Sequence, residues 1–138
     1  MAKWCRMIKA FRQSVFIVDD SAVVRERLVS MLADLPSVDV LGQADLAFEA
    51  ISTIRRLKPD VVILDISMPG GSGIQVLETL RRESFCPVMI MLTNFAHEQY
   101  RQKCFQLGAD YFFDKSSEFD KVVEVLRAPP GPELLMAA

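Results

Sequence analysis

The chain has 138 residues, 16 Lys and Arg against 18 Asp and Glu, and 51% apolar residues, the make-up of one globular domain that buries about two-thirds of its unfolded surface. A net charge of −2 leaves no bulk electrostatic case for direct nucleic-acid binding or a membrane surface, and no apolar run nears the roughly 18 residues that span a bilayer. Three cysteines (Cys5, Cys86, Cys104) without CxxC spacing argue against a disulfide framework or thiolate zinc site and for reduced thiols in a cytoplasm, and the single His97 argues against a His-based metal site or triad.

Residues 1–13 form a basic N-terminal extension carrying Lys3, Arg6, Lys9 and Arg12. Trp4, Met7, Ile8 and Phe11 recur at helical spacing, so the segment reads as a loosely attached extension or a short amphipathic helix that packs against a partner or second copy. Its apolar run is too short for a secretory signal. Ser14 to Val18 is then a buried strand ending in Asp19-Asp20, and Asp20 or Ser21 caps a helix whose stripe is Val24, Leu28, Met31 and Leu32. The pattern predicts that helix to about Ala33 with Pro36 beyond it. A second strand follows over about Val38 to Gly42, and a second helix over Leu46 to Leu57 with Ile51 and Ile54 inward.

Val61-Val62-Ile63-Leu64 is a strand buried on both faces, followed at once by Asp65 and then by Pro69, Gly70, Gly71 and Gly73, which cannot continue it. Gly73 to Arg82 is a third helix with Ile74, Val76, Leu77 and Leu80 inward. Pro87 to Leu92 is a fourth strand, with Pro at its first position, and leads into Thr93-Asn94. A fourth helix runs from about His97 to Gln106 and closes on Leu107-Gly108. Asp110 to Phe113 is a fifth strand, followed by Asp114-Lys115, and Ser116-Ser117 opens a fifth helix to about Arg127. Ala128-Pro129-Pro130-Gly131-Pro132 breaks it, and residues 128–138 read as a flexible tail. Strands and helices alternate in units of one each, which predicts a parallel sheet covered on both faces with right-handed crossovers.

Four strands run from apolar residues into polar ones: Asp19-Asp20, Asp65, Thr93 and Lys115. In a parallel sheet these ends share one edge, where ligands bind in open α/β folds. Singly, each has a plainer role as helix cap, turn residue or solvated charge. Together they bring three carboxylates, a hydroxyl and an ammonium to one place. Carboxylates that close repel unless a cation sits among them, and hard oxygen ligands without His or Cys suit Mg²⁺ (or Mn²⁺). A divalent ion, a Lys and a Thr beside a nucleophilic carboxylate are the parts of phosphoryl transfer.

These motifs carry a resemblance. Asp19-Asp20, Asp65-x-x-Met68-Pro69-Gly70, Thr93 and Lys115 make residues 14–127 resemble a receiver domain of two-component response regulators, of the stand-alone single-domain type. The resemblance implies a doubly wound (βα)5 flavodoxin-like three-layer sandwich with sheet order 2-1-3-4-5. It implies that Asp65 accepts a phosphoryl group from the phosphohistidine of a sensor histidine kinase, from a phosphotransfer protein or from a small phosphodonor. Asp20, Asp65 and the backbone carbonyl of Ser67 would ligate Mg²⁺, with Asp19 acting through water. Lys115 would pair with the phosphoryl oxygens, Thr93 would move to bond one, and Phe112 would swing in behind it. That shift would alter the fourth helix–fifth strand–fifth helix face that a downstream protein target, or a second copy in a homodimer, recognises.

Four positions depart from the common pattern. Ser116 stands where many receivers have a Pro, often cis, so a trans bond or a different local loop is expected, with Ser116-Ser117 free to cap the last helix. Asn94 is larger than the usual Ala or Gly and narrows access to Asp65. Phe95 sits where the family tunes attack of water on the acyl phosphate, so slow autodephosphorylation is expected. Phe112 replaces the more common Tyr and has no hydroxyl to satisfy when buried. The chain is thus read as a self-phosphorylating signalling module rather than a turnover enzyme. The alternatives are a non-switching docking or dimerisation module and a receiver fragment of a larger DNA-binding regulator. A phosphatase or nucleotide-binding enzyme fits worse, because Gly70-Gly71-Ser72-Gly73 lacks the Gly-Lys-Ser/Thr ending of a P-loop and no Asp-x-Asp follows the first strand.

Overall fold

Every apolar strand read from the sequence lies in one five-stranded sheet of the computed structural model, which describes residues 12–85 and 87–127. The strands are β1 (Gln13–Val18), β2 (Val38–Ala44), β3 (Val61–Leu64), β4 (Val88–Thr93) and β5 (Tyr111–Asp114). Their order is β2-β1-β3-β4-β5 and all neighbours pair in parallel. The helices are α1 (Ala22–Leu32), α2 (Ala47–Leu57), α3 (Gly73–Arg82), α4 (Glu98–Gln106) and α5 (Phe119–Arg127). This is the flavodoxin-like order that the resemblance implied. The readings of residues 1–11, Cys86 and 128–138 fall outside the described residues.

Strand periodicity divides the core. Phe16, Val18, Val62, Leu64, Met89 and Met91 face one side with Ile54, Val76, Leu77 and Leu80 from α2 and α3. Val15, Ile17, Val61, Ile63, Val88 and Ile90 face the other with Leu28 and Leu32 of α1 and Phe119, Val122 and Leu126 of α5. All of β3 and β4 is buried, which is why their sequences are unbroken apolar runs. β2 is an edge strand, and its Asp39, Leu41 and Gln43 are exposed.

Two local readings need correction. Gly42 does not end β2: a Cβ there would meet the Phe16 ring at 3.3 Å, so this glycine serves close strand packing, and the strand continues to Ala44. Beyond β3, Ser67–Met68 and Gly71–Ser72 pair as a two-residue antiparallel ladder across the Gly-rich turn. Ser116 does not cap α5. Its N–H (2.8 Å) and hydroxyl (2.7 Å) both donate back to Asp114 Oδ1, while the Glu118 N–H bonds Asp114 O at 2.7 Å. With Asp114 available as an acceptor, a local turn outcompetes the cap. The described residues contain no cis peptide bond, as expected for Lys115-Ser116.

Candidate functional site

The site stands where β1, β3, β4 and β5 end. The Asp19 N–H donates to Ala44 O and the Asp65 N–H to Val18 O, both at 3.0 Å, so each acid is held by the neighbouring strand's end. The Lys115 N–H donates to Thr93 O at 3.0 Å and fixes the lysine beside β4. Ser21, not Asp20, caps α1, accepting the Val24 N–H at 3.3 Å. That leaves the Asp20 carboxylate exposed beside two buried neighbours, Asp19 and Asp65.

Carboxylate oxygens of Asp19, Asp20 and Asp65 lie within 4.8 Å of one another. Lys115 Nζ bonds Asp19 Oδ2 at 2.6 Å and Asp65 Oδ2 at 3.1 Å, so one ammonium bridges the two buried acids. Asp19 Oδ1 accepts the Ser21 N–H at 2.9 Å. Asp65 Oδ1 is different. Among the described residues it is the one buried side-chain oxygen or nitrogen without a hydrogen-bond partner. A buried carboxylate oxygen left unpaired costs about 1–3 kcal/mol, which a fold keeps only where something uses it.

Burial pushes the Asp19 carboxyl above its ordinary range, and the Asp65 charge adds to this against the Lys115 and Ser21 hydrogen bonds. Burial pulls on the Lys115 ammonium in the opposite sense, but the Asp19 hydrogen bond and the charges of Asp65 and Asp19 outweigh it and leave Lys115 raised. Both shifts have one origin, two buried carboxylates sharing a single ammonium. An all-oxygen cluster with an orphaned oxygen and surplus negative charge fits a hard divalent cation.

Thr93 is fully buried, and its hydroxyl oxygen accepts the Phe95 N–H at 3.0 Å, leaving the hydroxyl proton to be given elsewhere. Asn94 and Phe95 are exposed, Phe95 by 44%. Phe112 is buried, 6.5 Å from the Phe105 ring, with the Arg101 guanidinium 5.9 Å from its centroid. Ser67 is exposed and stands opposite Ser72 in the short ladder.

Two residues that hold this geometry carry no obvious signal in the sequence. The Arg25 guanidinium donates to the Asp19 carbonyl at 2.6 Å and to Gln43 Oε1 at 2.8 Å, tying the acidic loop to β2. Its one hint is a cation one turn into a helix that follows two acids. At Gly73 a Cβ would fall 1.8 Å from the Asp65 carbonyl oxygen, so only glycine lets α3 begin against the acid's backbone. The Gly73 N–H donates to Ile66 O at 2.7 Å, and the Ser72–Gln75 capping box locks the same turn.

A five-stranded doubly wound sheet with an acidic cluster, a hydroxyl and an ammonium at its carboxyl edge is the frame of a phosphoacceptor signalling domain. Comparison with known proteins agrees: residues 15–127 match the response regulator receiver domain, and the chain belongs to that family. It is 32% identical over 113 residues to the response regulator GacA of Pseudomonas aeruginosa, covering 82% of this chain and 53% of that protein. It resembles the response regulator domain of Thermotoga maritima CheB with a TM-score of 0.73 at 30% identity, over 91% of this chain and 92% of that one. The signal receiver domain of the putative response regulator NarL from Mycobacterium tuberculosis aligns with a TM-score of 0.75 at 27% identity, over 85% and 98%. The chain spans about half the length of the GacA regulators it matches. Phosphorylation on an aspartate and Mg²⁺ in an acidic pocket are typical of the family. Among the described residues no helix is long and apolar enough to cross a membrane.

Proposed function

We propose that this chain is a phosphorylation switch whose phosphoacceptor is Asp65, loaded from a histidine kinase or phosphotransfer protein in the cytoplasm. The single observation that carries the reading is the buried, unpartnered Asp65 Oδ1 beside a lysine already engaged with Oδ2. In the transfer, Oδ1 attacks phosphorus, the P–N bond to the donor imidazole breaks, and the electron pair returns to the imidazole nitrogen, which then takes a proton. Lys115 moves little: the ammonium that bridges Asp19 and Asp65 in the resting site is placed to meet a new phosphoryl oxygen. Asp19, Asp20, Asp65 and the Ser67 carbonyl would hold Mg²⁺, which when bound neutralises charge on the phosphoryl oxygens. Thr93 releases the Phe95 N–H and turns its hydroxyl to the phosphoryl group, and Phe112 packs behind it. The face of α4, β5 and α5 then changes for a target protein or a second copy.

The test is intact-mass measurement after incubation with Mg²⁺ and acetyl phosphate. A phosphate-sized gain in the wild type that is absent from Asp65→Asn is expected. No gain with several phosphodonors, or an undiminished gain in Asp65→Asn, would overturn the assignment.

A further inference from the structure

Between the C-terminal end of α1 and the face of α5 that runs from Asp120 in its first turn to Arg127, the structure has an open groove of about 570 Å³. Its walls include Met31, Leu35 and Val123, and its rim carries Asp34, Asp120 and Glu124 against the single cation Arg127. The three acids are exposed, and none has an ion-pair partner among the described residues. Apolar walls under an uncompensated acidic rim favour an amphipathic, basic occupant.

The chain itself supplies one at the groove's lip. The Gln13 N–H donates to Ser37 O at 2.8 Å, and Gln13 Nε2 donates to Leu126 O at 2.8 Å. Ser37 and Leu126 adjoin Pro36 and Arg127, which line the groove. Gln13 therefore stands at its mouth, and residues 1–11 precede it and Arg12 in the chain. They contain Lys3, Arg6 and Lys9 and no acid, with Trp4, Met7, Ile8 and Phe11 at the spacing of one helical face. From Phe11 back to Trp4 is about 10 Å in helical form, so the apolar residues are within reach. We infer that the N-terminal segment, residues 1–11, docks in cis into the α1–α5 groove, apolar face inward and cations toward Asp34, Asp120 and Glu124. The tether holds its local concentration in the millimolar range, so modest apolar burial suffices, with rim pairs orienting it. The C-terminal segment follows Arg127, which lines the groove, but residues 128–138 carry Glu133 and no cation, and Pro129, Pro130 and Pro132 resist helix formation.

Trp4 is the chain's one tryptophan, so its fluorescence reads the contact without a label. The full-length protein is expected to show blue-shifted emission and severalfold weaker acrylamide quenching than in urea, independent of protein concentration. The triple variant D34K/D120K/E124K, changed only at exposed positions, and the separate Met31→Glu variant should each shift the emission red and raise the quenching, with cooperative unfolding retained. A Trp4 as exposed in the native wild type as in urea overturns the inference. So does shielding that survives both variants, or shielding that grows with protein concentration, which would make the occupant a second copy's segment.

Discussion

At the amino-terminal edge of the sheet, Asp60 Oδ2 takes the Ser14 N–H at 2.9 Å and the Ser14 hydroxyl at 3.0 Å, and Asp110 Oδ2 takes the Met89 N–H at 2.9 Å and Arg81 at 3.1 Å. At the carboxyl edge, Asp19 and Asp65 share one lysine, and Asp65 Oδ1 has no hydrogen-bond partner among the described residues. The same residue type at opposite ends of the same strands does different work. One edge uses its carboxylates to close the loops that enter the strands. The other keeps a carboxylate oxygen unpaired and surrounds it with the groups that would stabilise a transferred phosphoryl group. The contrast shows that an aspartate's role here follows from whether its carboxylate is engaged by loop and strand donors or keeps a buried oxygen unpaired.

The largest test of that contrast removes the bridging charge. Lys115→Ala leaves buried acids uncompensated and should cost about 3–5 kcal/mol in chemical denaturation while abolishing phosphoryl uptake. Asp60→Ala should cost about 1–3 kcal/mol and leave uptake intact, because its hydrogen bonds are structural. Equal loss of uptake in both variants would erase the distinction between the edges.

Divalent binding separates the edges next. At roughly one hundred times its dissociation constant, Mg²⁺ should add about 2.7 kcal/mol of stability to the wild type. The gain should persist in Asp60→Ala and shrink in Asp20→Ala, as followed by thermal unfolding with and without chelator. A smaller effect lies in alkali. Lys115 is raised in the fold, so its stabilising share is complete below the ordinary lysine range and is lost as pH climbs through the raised value. The wild type should therefore lose stability more steeply than Lys115→Met in that window, and parallel curves would contradict the pairing. The mildest change is Phe95→Glu, which exchanges an exposed ring at the site's rim for a carboxylate and should shorten the phosphoprotein's lifetime without altering folding. An unchanged lifetime would remove Phe95 from the account.

Much of this was legible from residue order. Unbroken apolar runs at Val61–Leu64 and Val88–Leu92 announce strands covered on both faces, and the polar residue after each strand marks the shared edge. Less visible were features that depend on partners far away in sequence. Gly42 reads as a strand stop until the Phe16 ring beneath it is seen, and Ser116 reads as a cap until Asp114 is found to hold it. Gly73 looks like one more turn glycine, yet the Asp65 carbonyl leaves no room there for a side chain. Arg25 lies on a helix face like any surface arginine, and only the fold brings the Asp19 carbonyl to it. Chemical type and strand position were therefore readable, whereas close approach and hydrogen-bond competition were not.

The central claim, that Asp65 alone is the acid held ready for a phosphoryl group, is tested most directly by trapping the product. Borohydride reduction after incubation with Mg²⁺ and acetyl phosphate turns an aspartyl phosphate into homoserine, which peptide mass mapping locates. The account predicts homoserine at position 65 and nowhere else. Homoserine at 19, 20 or 60, or none despite a phosphate-sized gain in intact mass, would contradict it.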